Sequence, residues 1–230
     1  TELATYCYNG MFWGCSSLQS TTELPALKLT PGCYKQMFGE CTSITSAPHL
    51  PAQEMEKECY AWMFVGCEKL EKIPDRLPAL KLAPFCYERM FANCILLETA
   101  PELPATILDD WCYFMMFNGC KNLSKASYLP AKTLTTGCYA LMFIGCEKIA
   151  KIKVGFTEWN DTLFRWPNYG TYYGYVTSTS NWLFNVAEKG IFILPTMTKK
   201  IFDDSHIPTG WRCPYAISFN PGLYGEGEIE

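Results

Sequence analysis

Thirteen cysteines are the residues best placed to do chemistry in this 230-residue chain. Thiols form disulfides, ligate zinc or act as nucleophiles, and spacing decides among these. Twelve of them fall into two columns, Cys7, Cys33, Cys59, Cys86, Cys112, Cys138 and Cys15, Cys41, Cys67, Cys94, Cys120, Cys146. The steps within each column are 26, 26, 27, 26 and 26 residues, and the two columns stand eight residues apart. Other reactive side chains are few. There are two histidines, His49 and His206, and no phosphate loop, nucleophile elbow or metal motif. Glu54, Glu56, Asp203 and Asp204 read as solvated surface, and no enzyme, metal or cofactor is expected.

A fixed period of this length is the mark of a repeat architecture. The unit reads Cys-Tyr-x-x-Met-Phe-x-x-Cys-x-x-Leu and then, in most copies, Leu-Pro-Ala. Met-Phe recurs six times, from Met11-Phe12 to Met142-Phe143. The one extra residue falls at Pro74-Asp75-Arg76, where a bulge or widened turn is expected.

Counted from the first cysteine as zero, apolar positions 0, 1, 4, 5 and 8 cover an arc of about 140° at helical pitch. That predicts a short helix, opened by Pro31 or Pro84 and closed by Gly14, Gly66, Gly119, Gly145 or Asn93. After it, Pro48, Pro74 and Pro101 leave room only for short strands around Leu18, Ile44, Leu70, Leu97, Leu123 and Ile149. Parallel strands stack at about 4.8 Å and helices at about 8–10 Å. The predicted fold is an α/β solenoid of about six 26-residue coils over residues 1–154, leucine-rich-repeat-like, with short parallel strands concave and short helices convex. A capping region with an aromatic-rich insertion follows over 155–230.

On such helices, cysteines eight apart would lie about 12 Å from each other. A disulfide needs Cα atoms within about 7 Å. The ladder cysteines are therefore expected as buried free thiols filling small apolar sites, with Cys213 making the count odd.

Composition narrows the function classes. Charged residues are 18%, and the net charge of −4 argues against nucleic-acid binding, which needs a basic excess. No apolar run is long enough to span a membrane. No leader opens the chain, so any signal peptide is expected to have been removed.

The phrases Cys-Tyr-x-x-Met-Phe-x-Gly-Cys-x-x-Leu and Ala-Pro-x-Leu-Pro-Ala resemble the BspA-type leucine-rich repeat surface proteins of Bacteroides-like gut bacteria. The tail resembles that family's C-terminal cap at Ser180-Asn181-Trp182-Leu183, Val186, Gly190, Phe192, Pro195 and Ile207-Pro208-Thr209-Gly210-Trp211. It departs in an insertion at 160–177 and an extension at 212–230. The chain opens inside a repeat at Leu3 to Cys7, so an upstream segment is expected. The resemblance implies an extracytoplasmic protein of the cell surface or outer membrane, with a possible upstream lipid anchor. It implies adhesion or binding of a host or matrix protein, and no catalytic residues.

Two candidate sites follow. Concave positions that change from coil to coil include Glu71, Lys72, Glu98, Thr99 and Lys125, the expected protein-binding face. Within the insertion, Trp166, Tyr169, Tyr172, Tyr173 and Tyr175 lie among Gly, Asn and Thr, a composition suited to recognition. They offer a competing platform for a glycan. A structural spacer is the remaining reading.

Overall fold

The computed structural model describes residues 3–165, 175–195 and 206–213, with the backbone alone at 164, 165 and 175. No helix occurs among the described residues. The segments expected as helices are ribbons of overlapping tight turns. In the third repeat, the N–H groups of Cys59, Ala61, Met63, Val65 and Cys67 each bond the carbonyl three residues back, at 3.1–3.3 Å. The intervening N–H groups of Glu58, Tyr60, Trp62, Phe64 and Gly66 donate to Pro84, Cys86, Glu88, Met90 and Ala92 of the next repeat, at 2.7–3.0 Å. One set of amides closes turns and the other joins repeats, so no N–H of this ribbon from Glu58 to Cys67 is left over.

Alternate turns place their third residue at positive φ, as a type II turn requires. Glu58, Trp62 and Gly66 sit at +58°, +61° and +69°, and the same every-fourth pattern recurs at Phe85, Arg89 and Asn93. This is why the helix expectation fails. A four-residue turn cycle buries positions 0, 1, 4, 5 and 8 as a helical arc would, but positive φ every fourth residue is incompatible with a right-handed helix. Without a helical layer, the thickness difference that predicted a concave strand side and a convex helix side is also absent.

The buried face of the ribbon is a set of columns. Tyr8, Tyr34, Tyr60, Tyr87, Tyr113 and Tyr139 stack ring on ring at 5.6–6.0 Å. Phe12, Phe38, Phe64, Phe91, Phe117 and Phe143 do so at 5.5–5.8 Å. Each second-column thiol from Cys41 to Cys146 donates to the Phe carbonyl of the preceding repeat, at 2.9–3.2 Å. Cysteine suits the place because it is small and apolar yet carries a donor.

Away from the ribbon the expected strands shrink to single parallel bridges, Lys28↔Glu54, Ser46↔Lys72, Arg76↔Glu102, Lys81↔Ile107, Thr99↔Lys125 and Leu129↔Val154. Proline at the corners removes the donors that longer strands would need. Named strands come late in the chain. β1 (Lys151–Lys153) pairs in parallel with β4 (Gly190–Ile193), which pairs in parallel with β5 (Trp211–Arg212). β2 (Phe164–Arg165) and β3 (Tyr175–Val176) form an antiparallel pair within the insertion.

Between the insertion and β4 runs a seventh turn ribbon. Tyr139, Leu141, Phe143 and Gly145 donate to the carbonyls of Ser178, Ser180, Trp182 and Phe184, each at 2.9 Å. Asn181 and Asn185 supply the positive φ. Trp182 and Phe192 are fully buried against the sixth repeat and β1. No helix among the described residues is long and apolar enough to cross a membrane.

Glycines on this ribbon differ in what they must accommodate. Gly10 and Gly137 both have positive φ, at +62° and +57°. A Cβ at Gly10 would meet nothing, whereas at Gly137 it would enter the ring of Trp111. Gly10→Ala should therefore lose about 1 kcal/mol from conformation alone. Gly137→Ala should lose a further ~1–3 kcal/mol from overpacking. Urea denaturation of the two variants measures the difference, and equal losses would mean that Trp111 does not pack there.

Candidate functional site

Where the repeat lengthens by one residue, the bridge pattern breaks. Lys72 is bridged to Ser46, and Thr99 to Lys125, but nothing among the described residues bridges Lys72 to Thr99. In the flanking repeats, neighbouring N–H groups converge on one carbonyl. Glu71 and Lys72 donate to Thr45, and Ser124 and Lys125 donate to Glu98. The equivalent N–H groups of Glu98 and Thr99 have no backbone partner among the described residues. Pairing resumes at Arg76↔Glu102, beyond Pro74-Asp75.

A groove of about 1010 Å³ lies over this interruption, lined from three successive repeats. Glu71, Lys72, Thr99 and Lys125, four of the five positions expected on the binding face, line it. Glu98 does not, although its carbonyl helps to hold the rim through Ser124 and Lys125. The buried Ala100, Pro101 and Leu103 form apolar lining, and Asp75, Glu102, Ser127 and Tyr128 add to the polar part. Charges of both signs stand together, so the groove suits a mixed polar and apolar surface. Glu102 meets Arg76 at 3.8 Å, an exposed pair worth little. The Lys153 ammonium sits 4.9 Å from the Tyr128 ring centre, which leaves this ring less open for stacking.

Of the insertion's aromatic candidates, Trp166, Tyr169, Tyr172 and Tyr173 lie outside the described residues, and Tyr175 is described only as backbone in β3. The stem beside them is informative. Val176 packs against Trp111, Phe114, Ala140 and Leu141 on the outward side of the fifth and sixth ribbons. The stem therefore rests on the outer face of the repeats rather than at the end of the stack.

The thiols present little reactivity. All thirteen are unpaired, and the ten from Cys33 to Cys146 are buried. Burial pushes the thiols of Cys67, Cys120 and Cys138 up to about 12, far from the thiolate needed for nucleophilic or metal chemistry. Cys7 and Cys15 are exposed, contrary to the expectation that every ladder cysteine is buried, because none of the described residues packs on the free side of the first repeat. Among the described residues no three His, Cys, Asp or Glu side chains gather closely enough to hold a metal ion.

One constellation was not foreseen. Asp161 Oδ1 lies 2.9 Å from His206 Nε2, and His206 Nδ1 lies 3.0 Å from the Thr179 hydroxyl. The His206 ring stacks on Trp159 at 4.3 Å. Carboxylate, imidazole and hydroxyl in this order match the parts of a nucleophilic triad. Here, however, the carboxylate is exposed and the hydroxyl is fully buried, the reverse of what an attacking oxygen needs. The arrangement acts as a latch joining the insertion, the seventh ribbon and the chain near β5. The three residues are far apart in sequence, and no spacing rule unites them.

No family model matches the chain, and no curated protein or solved structure shows significant similarity to it.

Two outcomes test this description. In the native state iodoacetamide should modify Cys7 and Cys15 and, more slowly, Cys213, while unfolding without reductant should expose all thirteen thiols. Peptide mass mapping reads this, and native labelling of Cys94 or recovery of a disulfide would contradict it. For the latch, His206→Ala should cost about 2–4 kcal/mol, since it removes a buried ring and strands Thr179. Asp161→Asn should cost less than about 1 kcal/mol because that partner is solvated. Thermal melts order the two, and a reversed order would refute the latch.

Proposed function

We propose that the chain is a non-enzymatic binding or adhesion module of a bacterial cell surface, built as a leucine-rich-repeat-like solenoid, that takes a host or matrix protein into the groove spanning the third to fifth repeats. The observation carrying this reading is the groove itself, lined by four side chains that vary between repeats while the columns beneath them stay constant. A rigid scaffold with a variable rim is how repeat proteins separate stability from recognition. Acidic, basic and neutral polar side chains share the groove with an apolar lining, which fits a protein surface better than an anionic polymer. The extracytoplasmic setting rests on the motif resemblance alone.

The competing reading places a glycan on the Tyr-rich insertion, whose stem lies on the outer face. The groove and the insertion draw on different residues, so paired substitutions separate them. The whole chain is screened against an extracellular-matrix protein panel and a glycan array. Lys72→Ala with Lys125→Ala should weaken a protein hit at least tenfold, or about 1.4 kcal/mol. Tyr172→Ala with Tyr173→Ala should leave that hit unchanged. The opposite pattern would transfer the site to the insertion, and binding untouched by either pair would refute both.

A further inference from the structure

Among the outward-facing side chains of the ribbons, one carboxylate is out of place. Glu88, on the fourth repeat, is 0% exposed, and both its oxygens are sealed from solvent without a hydrogen bond of normal geometry. The Arg89 guanidinium beside it lies 4.3 Å from the centre of the Trp62 ring and 6.0 Å from that of Phe114. On the side of the earlier repeats stands the Lys35–Glu58 ion pair, closed at 2.6 Å and largely buried. The ribbon of the fifth repeat carries Trp111, Phe114, Met115 and Asn118, and Met115 Sδ accepts from Arg89 Nε at 3.0 Å. An ionised carboxylate without full hydrogen bonding in such a layer is strongly disfavoured.

We propose that Glu88 is a proton-operated fastener of the outer face. Neutral, it closes the layer made by Trp62, Arg89 and Phe114; ionised, it must reach water, and the layer opens. Phe114 belongs to the cluster on which Val176 of the insertion stem packs, so opening also loosens the stem.

The energetics agree with the geometry. Burial pushes the Glu88 carboxyl from 4.5 up to about 7; Arg89, the Trp62 indole and Lys35 oppose the rise, and Glu58 adds to it. Between those values the folded chain holds a proton that the unfolded chain releases. Stability from the neutral side chain is therefore fully present below about 4.5 and is lost as pH rises through about 7. The full effect is roughly a 300-fold fall in the folding equilibrium constant.

The test compares the whole chain with Glu88→Gln, which mimics the neutral acid. At pH 4 the two should denature nearly alike, and at pH 8.5 the variant should be the more stable by up to about the 300-fold above. In the wild type, amide exchange in the segment around Val176, corrected for intrinsic rate, should quicken between pH 6 and 8; in the variant it should not. A pH-independent difference between the two proteins would overturn the proposal, as would exchange unchanged by pH in the wild type. The second measurement decides by itself if Glu88→Gln does not fold.

Discussion

Everything in this structure hangs on the division of labour among the ribbon amides. Alternate N–H groups close turns inside a repeat, and the rest reach the next repeat. In the ladder from the first repeat to the seventh ribbon, each ribbon's second set is met by the ribbon that follows it. Stacking is therefore a condition of local structure as much as its consequence. The same arrangement sets the side-chain columns, since each inter-repeat hydrogen bond brings a Tyr over a Tyr and a Phe over a Phe. Among the described residues, thirteen non-glycine residues at positive φ are accepted within this framework. Each costs roughly 1–2 kcal/mol. The ladder and the stacked rings offset that cost collectively.

How much of this was legible depends on which physical signal each feature leaves. The period, the columns, the glycine or asparagine before the second cysteine and the single extra residue are all plain in the letters. The ribbon was not, because its burial pattern coincides with a helical arc. The distinguishing signal is backbone sign. Gly32 and Gly137 stand just before the first cysteine, and Gly66, Gly119 and Gly145 eight residues later in the cycle, a spacing that a capped helix does not require. The middle position of the cycle carries Gln36, Trp62, Arg89, Met115 and Leu141, none of which announces positive φ. The seventh ribbon was hidden for another reason. Ser178, Thr179 and Trp182 replace the Cys, Tyr and Met by which the copies are recognised, and only the backbone pairing reveals the kinship.

The groove shows a different limit. Its residues were readable as variable positions, but a cavity was not, since it arises where two bridges fail to meet across the lengthened third repeat. A one-residue insertion in a regular stack has two outcomes. The excess is either looped out at a corner or spread over a short unpaired stretch. Here Pro74 cannot donate to a ladder, and the N–H groups of Glu98 and Thr99 have no backbone partner among the described residues. The groove lies over this stretch, and an open surface is where recognition can occur.

The two faces of the ribbon consequently answer to different pressures. Inward positions are held to Cys, Tyr, Met and Phe by the columns. Outward positions are free of that register, and from repeat to repeat they pass from Lys35 through Ala61 and Glu88 to Phe114 and Ala140. A buried ion pair and a buried carboxyl on such a face add little net stability, because desolvation consumes what the Coulomb attraction returns. Their cost is bearable only because the hydrogen-bond ladder beneath does not depend on them. The Glu88 carbonyl accepts its bond from the Trp62 N–H at 2.7 Å, a main-chain contact to which the carboxyl does not contribute. A scaffold whose main-chain ladder does not run through its outer side chains can carry a titratable layer that changes its stability with pH without being part of the ladder.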